Sequence, residues 1–212
     1  MNICICSLSD REWLYELTKP NLEKYCDKFN IDFKFVNHTL DEDKATSWSK
    51  LILVKRLLSQ YAYDYVIWID DDIVITDFNK DIRDFITGDK NIIIQDDPNR
   101  KGKDKLEYDD INCGFIFFRR CKETIDMINK IQMMGEWTPY TRCRNWEQPI
   151  FIQYYNEIDK SFDIRKYRTF QSFCRDIGED TEWREGDFSA HLSGISQEQR
   201  INLMKNQFYI YL

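Results

Sequence analysis

No apolar run in this 212-residue chain approaches the roughly 18 residues that cross a bilayer. The best runs are Tyr65 to Ile69 and Gly114 to Phe118, so no membrane span is expected. The opening Met1-Asn2-Ile3-Cys4-Ile5-Cys6-Ser7 lacks the charged lead and longer apolar middle of a signal peptide and reads as a first strand. Positive charge is short as well. Asp and Glu number 37 against 30 Lys and Arg, a net charge of −7. Sequence-independent phosphate affinity is built from clustered Lys and Arg, so no nucleic-acid partner is expected. The seven cysteines are odd in number and hold no CxxC pair. With Cys4 and Cys6 alternating onto one strand face, neither a disulfide frame nor a zinc site is indicated, and a reducing, cytoplasmic compartment is the expectation. There is no repeat, no low-complexity tract and no convincing linker, which gives one domain over residues 1–212.

What is present suits a layered core. Apolar residues make up 42% of the chain and aromatics 15%, ample for burial. Short apolar runs alternate with helix-like segments, the pattern of an α/β fold with a largely parallel sheet. Strands are predicted at 2–8, 31–36, Tyr65–Ile69, 91–94 and Ile111–Phe118. A helix over 47–61 follows from Leu51, Val54, Leu58 and Tyr61. Ser9 and Glu12 have the spacing of a capping box, and Pro20 is expected to break or restart the helix that follows. The charged stretch 95–110 reads as a mobile loop and a candidate lid over a site. Beyond Cys121 the chain reads as mostly helical, with short strands near 162–168 and 187–192.

The most informative segment is Tyr65-Val66-Ile67-Trp68-Ile69-Asp70-Asp71-Asp72-Ile73-Val74-Ile75, three carboxylates between two apolar runs. An acidic run is ordinarily a solvated turn. Here the apolar chain resumes at once on both sides, and ligands of open α/β sheets bind at the carboxyl ends of strands. Adjacent like charges raise one another's pKa unless a cation intervenes. Asp70 and Asp72 can point the same way from extended backbone and offer hard oxygen ligands to magnesium or manganese. Two reaction classes use such an Asp-x-Asp pair: glycosyl transfer from a nucleotide-sugar, and phosphoryl transfer through an aspartyl nucleophile, as in haloacid-dehalogenase-like phosphatases. The phosphatase motif normally lies on the first strand and is followed by a small residue and Thr. Here it falls a third of the way in, ahead of Ile73-Val74, although Asp96-Asp97 after Ile92 to Ile94 imitates that class's later acidic pair.

Several further segments occur in a matching order: Trp48-Ser49-Lys50, Asn112-Cys113-Gly114-Phe115 leading to Arg119, Trp146-Glu147-Gln148, and His191-Leu192-Ser193-Gly194. With the Asp motif they resemble the GT-A glycosyltransferases, in particular the family of yeast-type α-galactosyltransferases and plant xyloglucan xylosyltransferases. The resemblance spans residues 48 to 194, and of its pieces only the Asp motif is specific alone. The Golgi members of that family carry a membrane span and stem that are not seen here. The length and overall character also resemble the first domain of chlorella-virus multidomain glycosyltransferases. Together with the apolar segment Phe208-Tyr209-Ile210-Tyr211-Leu212, this gives the expectation of further domains in a longer chain.

The resemblance implies a GT-A fold, Rossmann-like, with a mostly parallel mixed central sheet flanked by helices. It implies a UDP-sugar donor, a glycan hydroxyl as acceptor and retention of anomeric configuration. Asp70, Asp72 and His191 would hold manganese, with magnesium the alternative, since imidazole beside two carboxylates suits manganese better. His191 is one of two histidines; His38 has no comparable context. Ser7, Ser9, Arg11 and Lys50 are the candidates for nucleotide contacts, and Asp71 for the ribose or for local structure. Asn112 and Gly114 are placed to face a sugar hydroxyl, and Gly194 to let backbone approach a phosphate. Glu147 is a candidate nucleophile or stabiliser of positive charge, whereas the Gln148 amide would position or stabilise through its oxygen. Trp48 reads as core. A nucleotide-sugar-binding module without catalysis is the third reading.

Overall fold

A computed structural model describes residues 1–98, 106–107, 110–137, 147–174 and 182–212. Its centre is a six-stranded sheet in the order β2-β1-β3-β6-β5-β7. The strands are β1 (Ile3–Leu8), β2 (Asp32–Val36), β3 (Tyr65–Ile69), β5 (Ile92–Asp96), β6 (Ile111–Arg119) and β7 (Asp163–Arg165). β1 pairs parallel with both β2 and β3, and β5 with β7, whereas β6 runs antiparallel to its neighbours β3 and β5. A second sheet, β4-β9-β8, joins β4 (Ile73–Ile75), β9 (Ser189–His191) and β8 (Ser172–Phe173).

Burial on both faces explains why the central strands read as unbroken apolar runs. Cys4, Cys6, Val66, Trp68, Ile92, Ile94, Ile116 and Phe118 face one layer, packed beneath α2 (Ser49–Gln60), α3 (Lys122–Trp137) and α4 (Gln148–Glu157). Ile3, Ile5, Ile67, Ile69, Ile93, Phe115 and Phe117 face the other, with Leu22 and Tyr25 of α1 (Glu12–Phe29) and the rings of Phe85, Phe170 and Phe188. A third cluster packs Leu14 of α1 against Val74, Ala190, Leu192 and Met204 of α5 (Gln197–Asn206). Trp48 is core, as expected: it is buried against Gly135, where any Cβ would collide with its ring. Among the described residues no helix is long and apolar enough to cross a membrane.

The expected strands and the 47–61 helix are present, with ends moved by a residue or two; residues 46–48 form a short 3₁₀ turn ahead of α2. Two local expectations are corrected. The Ser9 to Glu12 capping box does not form, because Ser9 Oγ accepts the Arg11 N–H at 3.1 Å, and Arg11 occupies the cap position without a side-chain cap. Pro20 neither breaks nor restarts α1, which runs unbroken through it. Pro20 and Glu16 are both exposed, so water can solvate the carbonyl that the missing N–H leaves free. In the tail, β7 and β9 fall at the two places where short strands were expected, among α3, α4 and α5, and only β8 was not foreseen. Most of the expected 95–110 loop falls outside the described residues, as does Trp146; Gln95 and Asp96 extend β5.

Candidate active site

The topology gathers the candidate residues at one edge of the central sheet. β1 and β3 end there, delivering Ser9 and Arg11 from one strand and Asp70 to Asp72 from the other. Because β6 is antiparallel to β3, its beginning lies at the same edge. β6 also bulges there: Ile94 pairs with Ile116 but Gln95 pairs with Asn112, which frees Cys113 and Gly114 from the β5 ladder. Bulges commonly re-aim side chains beside sites. The starts of α2 and α4 bring Lys50, Glu147 and Gln148, and the end of β9 brings His191 and Gly194. These residues line one cleft of about 780 Å³. Of the sequence candidates only Ser7 is missing from its wall: it is buried in β1, and its hydroxyl has no protein partner.

Asp70, Asp72 and His191 each present one ligand atom, and the three atoms lie within 4.8 Å of one another. Pairing of β4 with β9 creates this group, because Ile73 opposite His191 sets Asp72 beside the imidazole. The buried side chain of Asn21 clamps both backbone groups of Ile75 and fixes β4 to α1. His191 Nε2 stands 3.2 Å from Asp72 Oδ1, and Nδ1 stands 3.0 Å from Gln171 Oε1. Arg200 donates to Asp72 Oδ2 at 3.1 Å and to the Leu192 carbonyl at 2.9 Å. Burial alone would raise the Asp72 pKa, but His191 and Arg200 hold it below the usual carboxylate range. Gly194 sits at φ +77°, a left-handed turn that suits glycine.

Lys50 is the other centre of charge, only 2% exposed. Its ammonium reaches Glu147 Oε1 at 2.5 Å, the Cys113 carbonyl at 2.7 Å and Asp70 Oδ1 at 3.3 Å. Burial opposes its charge, yet Asp70 and Glu147 raise its pKa above the ordinary lysine value. Glu147 is equally buried, and its Oε2 has no partner among the protein's atoms. Trp68 Nε1 donates to Asp70 Oδ1 at 2.5 Å. The amide oxygen of Asn112 accepts the Gly114 N–H at 2.8 Å, and that of Gln148 accepts the Cys113 N–H at 3.1 Å.

Asp71 points away from the trio, as the two-residue period requires, and pairs with Arg11 through both carboxylate oxygens. Burial, with Asp72 alongside, pushes its pKa up to about 6 although Arg11 favours the charged form. Arg200, Trp68 and Gln171 were not singled out from the sequence. Trp68 had a signal, since alternation along β3 puts it on the side of Asp70. Arg200 follows a capping box, Ser196 with Gln199, that fixes the start of α5 close behind Gly194.

The sequence and the topology both have known counterparts. A model of the galactosyl transferase GMA12/MNN10 family matches residues 3–202. The chain belongs to that family. Among curated relatives, a probable xyloglucan 6-xylosyltransferase 3 of Arabidopsis thaliana is 28% identical over 116 residues, 54% of this chain and 25% of its own length. A probable glycosyltransferase 2 of Oryza sativa subsp. indica is 28% identical over 124 residues, 58% of this chain and 25% of its own. The chain thus spans about a quarter of the length of these family relatives. Among solved structures, a glycosyltransferase involved in glycosylation of the major capsid of PBCV-1 aligns with a TM-score of 0.74 at 18% identity, over 97% of this chain and 99% of that one. The galactosyltransferase LgtC, in complex with donor and acceptor sugar analogues, aligns at 0.59 and 14% over the whole of both chains. At these identities the likeness establishes the fold. It is the GT-A fold that the sequence motifs implied, and with the family it sets aside the aspartyl-phosphatase alternative.

Proposed function

We propose that this chain is a metal-dependent transferase domain that moves a sugar from a UDP-sugar to a hydroxyl of a glycan, with retention of configuration. The observation that carries the metal is the donor set itself. Gln171 Oε1 only accepts, so the Nδ1 facing it carries a proton, and a metal-bound His191 would ligate through its Nε2 lone pair. That nitrogen faces Asp72 Oδ1, 3.2 Å away. When His191 is charged a proton on Nε2 bridges this pair, and a divalent ion shared with Asp70 would take the place of that proton. Asp70 would complete the set, so that two carboxylates and one imidazole could hold a single divalent ion. Asp70, Asp72 and His191 fit manganese, with magnesium the weaker match to an imidazole.

Bound there, the ion supplies Lewis acidity to the diphosphate as the glycosidic bond breaks. The chain's own residues do the rest. Arg11 and Ser9 hold Asp71 toward the nucleotide side, and the left-handed turn at Gly194 lets backbone approach a phosphate closely. Arg200 balances Asp72. Lys50 fixes Asp70 and Glu147 relative to each other from beneath. Glu147 Oε1 is committed to Lys50, while Oε2 remains for positive charge developing at the anomeric carbon; Asn112 and Gln148 border the same space.

Thermal unfolding with UDP, with and without manganese, and UDP release across a panel of UDP-sugars test the proposal. The expected result is manganese-dependent stabilisation by UDP and slow release of UDP from one donor, water replacing the acceptor. Stabilisation without turnover, even with acceptors present, would instead mark a nucleotide-sugar-binding module. No response to any nucleotide would contradict both.

A further inference from the structure

Behind His191 stand two buried amides that this mechanism does not otherwise use. Gln95, fully buried in β5 opposite the β6 bulge, accepts the backbone N–H groups of Phe170 and Gln171 on its Oε1 at 3.0 and 3.1 Å. Its Nε2 donates to the Gln171 carbonyl at 2.8 Å. Three bonds on adjoining backbone groups fix where Gln171 sits, just ahead of β8, which pairs with β9. From there Gln171 Oε1 reaches His191 Nδ1. The clamp therefore crosses from the central sheet to the small sheet and ends on the imidazole.

We infer that Gln95 and Gln171 are positioning residues that present the His191 Nε2 lone pair to the cation, an inference that rests on the metal site proposed above. A neutral imidazole has one N–H and one lone pair, and the partner of one nitrogen decides the state of the other. An acceptor at Nδ1 puts the proton there and frees Nε2 for ligation. Partners of this kind, one step behind a metal ligand, typically change metal affinity about 10- to 100-fold when removed. Gln171 Nε2 has no partner among the protein's atoms, so a glutamate in its place keeps the acceptor and sacrifices no hydrogen bond of the folded chain.

Manganese binding, read by electron paramagnetic resonance with saturating UDP at fixed pH, tests this on the wild type, Gln171→Met and Gln171→Glu, with circular dichroism as the check on folding. The Met variant is expected to bind manganese about 10- to 100-fold more weakly, and the Glu variant as tightly as the wild type or tighter. Unchanged affinity in the Met variant overturns the relay alone. Equal weakening in both variants also overturns it, because shape rather than an acceptor would then matter. Absence of manganese binding by the wild type overturns both the relay and the metal site. Should the Met variant not fold, NMR of the magnesium-loaded wild type decides: a slowly exchanging His191 Hδ1 close to the Gln171 side chain is expected, and an Hδ1 in free exchange with water contradicts it.

Discussion

A methyl group at Gly114 would stand 2.5 Å from His191 Cε1, 2.9 Å from Asn112 Oδ1 and 3.1 Å from Asp70 Oδ2. Two proposed metal ligands would have to move to admit it. Gly114→Ala is expected to keep the fold and to lose at least about 10-fold in manganese-dependent UDP affinity by calorimetry; wild-type affinity would show that the trio tolerates displacement. For Glu147→Gln, UDP affinity should persist while transfer falls about 100-fold or more, a size typical of a lost transition-state contact. Wild-type transfer rates in that variant would remove Glu147 from the mechanism. At this scale the sequence was legible where chemistry is unusual. Three acidic residues between apolar runs, a rare histidine before a glycine, and a lysine at a helix start each stood out. Ser7 was placed by the resemblance of the opening strand to the family's nucleotide-facing start, but it lies buried within β1, short of the cleft. Gln95 and Gln171 gave no signal, because a buried glutamine has no spacing rule, and their partners lie 75 and 76 residues away for Gln95 and 20 for Gln171.

Elements were legible when both faces were buried, since continuous apolar runs such as Tyr65 to Ile69 leave little ambiguity. Short strands of the small sheet were harder. β8 has two residues, and its pairing depends on β9 being in place. Pro20 shows the opposite failure, a local rule overridden by context, because the amphipathic face of α1 carries Leu14, Thr18, Asn21, Leu22 and Tyr25 into the core on either side of it. An exposed proline inside a helix still costs stability relative to alanine, offset in part by its stiffening of the unfolded chain. Pro20→Ala should therefore stabilise the protein by about 1–2 kcal/mol, raising Tm by a few degrees in a scan of the metal-free protein. A lower Tm would mean that the ring, rather than the helix face, fixes the path of α1.

For the molecule as a whole, cysteine chemistry gives a test that needs no ligand. The six described cysteines are free, and all but Cys121 are buried. Burial pushes Cys4 and Cys174 up to about 12 and Cys113 well above its ordinary value. A raised pKa keeps the thiol protonated, so at pH 8 the thiolate of Cys4 or Cys174 is only about 10⁻⁴ of the total. Brief iodoacetamide treatment of the native protein should modify Cys121 ahead of the other five, and mass spectrometry of the peptides reads the order. Early labelling of Cys113 would mean that the cleft floor opens. The layered α/β class and the strands that carry the acidic motif and Asn112 were accessible from the sequence, whereas the strand order and the convergence of α5 on Asp72 were not, the latter because it depends on a contact 128 residues apart.

The account stands most directly on where manganese and UDP bind together. Crystals soaked with both, with anomalous scattering collected to locate the metal, are expected to show one manganese peak among Asp70, Asp72 and His191, touching the diphosphate. UDP bound elsewhere, or a diphosphate in this cleft with no ion beside those three side chains, would contradict it.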